Sequence, residues 1–186
     1  MPPKVKIRKE QIVEAALELV REQGEGALNA RSIAEKLGCS TQPVFSNFAS
    51  MEELSLAVRE GAAALYKDRI RREAEAGEFP PYKASGMGYI FFAKEERELF
   101  KLLFMRDRAG KETSSEVGMF VEMRELVQRS YGLEAGTAEL FHLEMWAYVH
   151  GIATMMATGY LELERDLVSR MLTDAFLGLS AQFGKG

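Results

Sequence analysis

The sequence predicts an all-α chain: a three-helix, helix-turn-helix head followed by a helical-bundle body, about nine helices in all. Three observations carry this. Ala, Leu, Glu, Met, Lys and Arg are plentiful, and proline numbers only five; such side chains lose little rotamer freedom in a helix. Apolar residues recur at spacings of three and four, and no alternating run is long enough for a strand. Glycines, and the pair Pro80-Pro81, punctuate the periodic segments at helix-length intervals.

The elements follow in order. Residues 7–23 place Ile12, Val13, Ala16, Leu19 and Val20 on one helical face, and Gly24 and Gly26 end it. Asn29 is the expected N-cap of a short second helix with Ile33, Ala34 and Leu37 inward, stopped by Gly38. Ser40 is the expected cap of a third short helix carrying Val44, Phe45 and Phe48. Ser50 and Glu53 form a capping box opening a fourth, which runs to about Gly77 with Leu54, Val58, Ala62 and Leu65 inward. Beyond Pro80-Pro81, helices are expected near 81–94, 96–107, 114–131, 136–158 and 161–182. Arg108–Thr113 is a polar loop, and Gly132 and Gly136 separate two of the helices. The organisation is a head over residues 1–50 and a body over 51–186, linked by the fourth helix.

Composition narrows the function. A hydrophobic share of 47% fills a core, and the net charge of −4 is unevenly spread. Residues 1–50 hold seven basic and six acidic side chains, with Lys4, Lys6, Arg8 and Lys9 clustered at the start. This is a weak electrostatic signature of a nucleic-acid partner, or a solvated basic tail. The single cysteine, Cys39, excludes an intramolecular disulfide and a thiolate metal cluster. No secretory signal opens the chain, and even the most apolar stretch, 140–161, is broken by His142, Glu144 and His150. A cytoplasmic protein without membrane contact is expected. Metal-ligand spacing, phosphate loops and nucleophile motifs are lacking, so neither cofactor nor enzyme activity is expected.

The head carries the chemistry. In a helix-turn-helix the third helix enters the major groove, and its early residues face base edges. Ser40, Thr41, Gln42, Ser46 and Asn47 are the groove-facing set. Gln42 suits an adenine edge, and Thr41 a thymine methyl or a phosphate. Arg31 on the second helix suits a base or a phosphate, or is a solvated surface residue.

These residues also resemble a family. Ile7-Arg8 with Ile12–Ala16, Asn29–Gly38, Cys39–Phe48 and Ser50–Leu54 are similar, at consistent spacing, to the DNA-binding head of the tetracycline-repressor (TetR) family. The resemblance implies a homodimer that binds double-stranded palindromic DNA and is controlled by a small ligand in the C-terminal body. It implies DNA contacts at Arg8, Asn29, Arg31, Ser40, Thr41, Gln42, Phe45, Ser46, Asn47 and Ser50. Three positions depart from the family pattern: Phe45 stands for tyrosine, Asn47 for histidine and Met51 for lysine. Loss of two phosphate partners implies weaker non-specific binding and a flatter salt dependence.

The body has its own signals. The 136–158 helix is apolar on nearly every face, through Leu140, Phe141, Leu143, Met145, Trp146, Tyr148, Val149, Ile152, Met155 and Met156. Such a helix is buried on two sides. It and the last helix are expected to build an isologous dimer, with Gly151, Ala153, Ala157 and Gly178 permitting close approach. Trp146, His150 and Gly151 resemble a Trp-x-x-x-His-Gly motif of one sub-class of the family. His150 is a ligand contact, a group that titrates near neutrality, or a structural histidine. Phe91, Phe92, Phe100, Phe104, Met105, Met119, Phe120 and Met123 are expected to wall a cavity for an apolar or aromatic effector, or to be ordinary core. The effector contacts expected are Phe92, Phe104, Met119, Met123, Trp146 and His150. Two further readings stand beside the regulator: a helical small-molecule-binding module without DNA affinity, and an α-helical enzyme using His142, Glu144 and His150.

Overall fold

A computed structural model describes residues 7–105 and 114–183, with the side chains of all of these except 114–120 and 130. Among the described residues there are nine α-helices and no strand. They are α1 Lys9–Gln23, α2 Ala30–Lys36, α3 Gln42–Asn47, α4 Met51–Glu75, α5 Pro81–Glu95, α6 Arg97–Phe104, α7 Ser114–Tyr131, α8 Ala135–Ala157 and α9 Arg165–Phe183. The expected polar loop Arg108–Thr113 lies outside the described residues. The chain divides into two compact units: the described residues of Met1–Asp68 with Glu96–Arg106, and those of Arg69–Glu95 with Asp107–Gly186.

The first unit is built on α1, whose Ile12, Ala15, Ala16, Leu19 and Val20 are buried at the expected periodicity. They meet Ile33 and Ala34 of α2 and Val44 of α3 in one core. Phe48 follows α3 and is only 2% exposed, so it anchors that helix as expected. On α4 the inward stripe is Leu54, Val58, Ala62 and Tyr66; Leu65, expected inward, is half-buried. The strict spacing of four selects the tyrosine, whose ring meets Phe104 edge-on at 5.2 Å. The α6 helix completes this core with Leu99, Phe100, Leu102 and Leu103. An ion pair fastens it to α1: Arg21 donates to both carboxylate oxygens of Glu96, at 2.8 and 2.9 Å.

In the second unit α5 is the central helix. From Met87 to Ala93 every residue is buried, so α5, and not α8, is surrounded on all sides. Its Tyr82 pairs with His142, and its Tyr89 with His150, each at 2.9 Å, so α5 and α8 run parallel. Gly88 allows the approach of the α4 end, since a Cβ there falls 3.2 Å from the Ile70 Cα. Gly86 faces Leu172 of α9 and Val149 of α8 in the same way. At Gly151 and Gly178, by contrast, an added Cβ meets nothing of the chain itself within 4 Å. Phe141 centres an aromatic cluster with Tyr82, Phe176 and Phe183. Glu73, only 4% exposed, sits between Arg69 and Arg165, and Arg165 also holds Glu78 at 2.6 Å. Burial disfavours the Glu73 carboxylate, but the hydrogen bonds from Arg165 and Arg69 outweigh it and hold its pKa below the ordinary value.

Candidate functional site

The turn before α3 is set by backbone chemistry. Gly38 has φ +63, the Cys39 amide donates to the Ala34 carbonyl at 2.9 Å and the Gly38 amide to the Glu35 carbonyl at 3.0 Å. This is a complete Schellman motif, and it turns the chain sharply into α3. Ser40 does not cap α3: Thr41 precedes the helix, and its side chain makes no capping bond. The Thr41 carbonyl accepts from Val44 and Phe45 instead. Pro43 falls in the first turn, where a missing N–H costs nothing.

The expected DNA contacts divide into two groups. In the first, polar atoms already serve the fold. Asn29 caps α2 by accepting from the Arg31 and Ser32 amides at 3.1 and 3.0 Å, while its own amide donates to the Ala27 carbonyl. The Ser46 hydroxyl donates to the Gln42 carbonyl at 2.7 Å. The Asn47 amide donates to the carbonyls of Pro43 and Ile7 at 2.8 and 3.3 Å. Ser50 accepts from the Glu53 amide at 3.2 Å, and the Glu53 carboxylate reaches back to the Ala49 amide at 2.7 Å. The expected box therefore forms, displaced by one residue on its return side.

In the second group the side chains are exposed: Arg8, Arg31, Ser40, Thr41, Gln42 and Phe45. Phe45 is 57% exposed, beside Val44 at 1%. It is thus not a core residue of the chain. Nearby, Lys9 lies over the Phe48 ring at 4.6 Å and pairs with Glu53 at 2.9 Å.

In the second unit, Trp146 and His150 stack, with ring centroids 5.0 Å apart and planes at 12°. His150 Nδ1 is hydrogen-bonded to the Tyr89 hydroxyl at 2.9 Å, and its Nε2 lies 3.5 Å from the Thr154 hydroxyl. Both rings are half-buried, as is Met123, whereas Phe92 is 1% exposed. Phe104, expected with them, belongs to the core of the first unit, where it also meets Phe100 at 5.1 Å. Phe100 and Met105 lie in that unit as well. Met119 and Phe120 have side chains outside the described residues. Sequence reasoning missed Tyr82 and Tyr89; the offset of seven matching two helical turns was the available signal. His142 is 6% exposed, and burial lowers its pKa to about 4. Burial therefore favours its neutral form, bonded to Tyr82. Glu144 is exposed on another face of α8.

The α8–α9 surface is different in kind. Leu140, Leu143 and Tyr148 on α8, and Leu167 and Leu177 on α9, are all at least 38% exposed. An open groove of about 350 Å³ runs between the helices, lined by Glu144, Tyr148, Asp174, Ala175, Gly178 and Leu179. The face of α8 away from α5 is therefore open in the single chain.

An exposed short helix, aimed by a Schellman turn and anchored by Val44 and Phe48, together with a mainly helical body unit, defines a helix-turn-helix transcription regulator. Residues 12–58 match the model of bacterial regulatory proteins of the tetR family, and residues 82–176 match the tetracyclin repressor-like C-terminal domain. The chain belongs to this family, a family of transcription regulators and not of enzymes. Among solved structures, a TetR-like transcriptional regulator from Rhodococcus sp. RHA1 is similar over 100% of both chains, with 19% identity and a TM-score of 0.72. A protein of unknown function from the same organism gives 23% identity and a TM-score of 0.74, over 95% of this chain and 97% of that one. A single-residue variant of TetR from Acinetobacter baumannii AYE, in complex with minocycline, gives 20% and 0.59, over 97% and 98%. No curated protein matches the chain. Among the described residues, no helix is long and apolar enough to cross a membrane.

Proposed function

We propose that this regulator is a cytoplasmic repressor that binds a palindromic operator as a dimer and is controlled by a small apolar or aromatic effector. The head is residues 1–50 and the effector and dimer body residues 51–186. The observation that carries the reading is α3 itself: a helix anchored from below with Thr41, Gln42 and Phe45 exposed together. Arg8, Arg31 and Ser40 flank it as phosphate contacts. Asn29, Ser46, Asn47 and Ser50 act mainly by holding the helices in place, because their polar atoms are bonded within the chain.

The dimer forms through α8 and α9, supported by the exposed leucines and the glycines Gly151 and Gly178, which face open space. The effector site centres on Trp146 and His150, and Phe92 and Met123 are proposed as further contacts. A stacked pair of flat rings with a polar edge suits an aromatic guest, and one solved relative is in complex with minocycline. Trp146, His150 and Gly151 further place the chain, on this proposal, in the sub-class with that motif. The effector acts only if it prefers the conformation whose two recognition helices miss successive major grooves, about 34 Å apart.

The test is a gel shift of the purified protein on its own upstream DNA across a salt series. A specific shift is expected, with a shallow salt slope, since each missing phosphate contact removes about 0.9 from that slope. The double variant Thr41→Ala, Gln42→Ala should fold normally and lose the specific shift. Absence of any shift at low salt leaves a helical effector-binding module as the better reading.

A further inference from the structure

Phe45 gives α3 a reading chemistry of its own. It lies three residues after Gln42, so the two side chains share one helix face. Thr41, just before the helix, is exposed beside them, whereas Ser46 and Asn47 direct their donors to carbonyls of the chain itself. Phe45 is not needed for packing, because Val44 and Phe48, 1% and 2% exposed, already anchor the helix. A phenyl ring neither donates nor accepts a hydrogen bond, so it contributes nothing at a phosphate. Major-groove edges present one apolar group, the C5 methyl of thymine. We propose that Phe45 is a specificity-determining residue that reads a thymine methyl, within about one base pair of the adenine that suits the Gln42 amide. The operator half-site is therefore an A/T-containing step in which the methyl, and not merely the base pair, is recognised. This rests on α3 being the recognition helix.

The experiment keeps the two claims apart. Full-length protein is used to select duplexes from a random-sequence pool, and the enriched duplex is remade with uracil replacing one thymine at a time. Uracil keeps every hydrogen-bonding group and lacks only the methyl. Binding about fourfold weaker is expected at one thymine per half-site, the effect of burying a single methyl group. In Phe45→Ala that penalty should vanish, and in Phe45→Tyr, which retains the ring, it should persist. Because Phe45 is exposed, both variants should keep the wild-type circular dichroism and melting temperature. Equal binding of all uracil copies by the wild type overturns the methyl reading while leaving α3 as the recognition helix. So does a uracil penalty that survives in Phe45→Ala. Failure of any sequence to enrich overturns the recognition-helix reading, and this inference with it.

Discussion

His142 shows how one residue can set the acid limit of a fold. Its imidazole is buried against Tyr82, and its pKa falls to about 4, from an ordinary value near 6.5. The unfolded chain therefore takes up a proton that the folded chain refuses. Stability from this group is complete above about pH 6.5 and is lost as pH falls toward 4. Urea unfolding at pH 7 and pH 4.5 should reveal a loss of about 2–3 kcal/mol from this source. The loss should be absent from His142→Gln when compared with wild type at the same two pH values. An identical pH dependence in the two proteins removes His142 as the cause. The same residue was legible in the sequence only as an interruption of an apolar run. Its neutrality follows from burial, beside a Tyr82 that lies sixty positions away.

Among the elements, α3 depends most on one backbone angle. Gly38 holds φ +63 with open space around its Cα, so any penalty for a side chain there is conformational and not steric. Gly38→Ala should lower stability by about 1–2 kcal/mol. Gly38→Asn should cost less, because asparagine tolerates the left-handed region. Thermal melts of the two variants decide it; equal losses would mean that the Schellman turn does not control the head. The stop at Gly38, the cap at Asn29 and the anchor at Phe48 were all readable, because each is a local matter of turn chemistry or periodicity. Two other details were not. Capping by Ser40 failed because the turn brings Thr41, and not Ser40, to the position before the helix. Leu65 gave way to Tyr66 because the partner ring, Phe104, comes from a helix about forty residues later, and periodicity alone ranks the two positions nearly equally.

For the whole molecule the decisive feature is the uncovered α8–α9 face. Leucines exposed at 46% and 60%, Leu143 and Leu177, have no role in the core of the single chain. On the dimer reading, Leu143→Glu with Leu177→Glu should give a monomer in sedimentation equilibrium with its far-ultraviolet dichroism retained. Operator binding should fall by well over tenfold, since each half-site is then bound alone. A variant that stays dimeric moves the interface elsewhere.

The sequence by itself determined the helix count, most helix boundaries, the turn before α3 and the family, since each depends on propensity, periodicity or a short motif. Tertiary structure decided three things. It made α5 the helix surrounded within the chain and left one apolar face of α8 uncovered there. An apolar face predicts burial but does not say whether the partner is in the same chain. It put Phe104 in the first unit's core, because α6 packs on α1 across some eighty residues of chain. It also separated the polar residues of the head into those bonded within the fold and those left facing outward. That division is fixed by where neighbouring carbonyls and amides lie in space, which no spacing rule encodes.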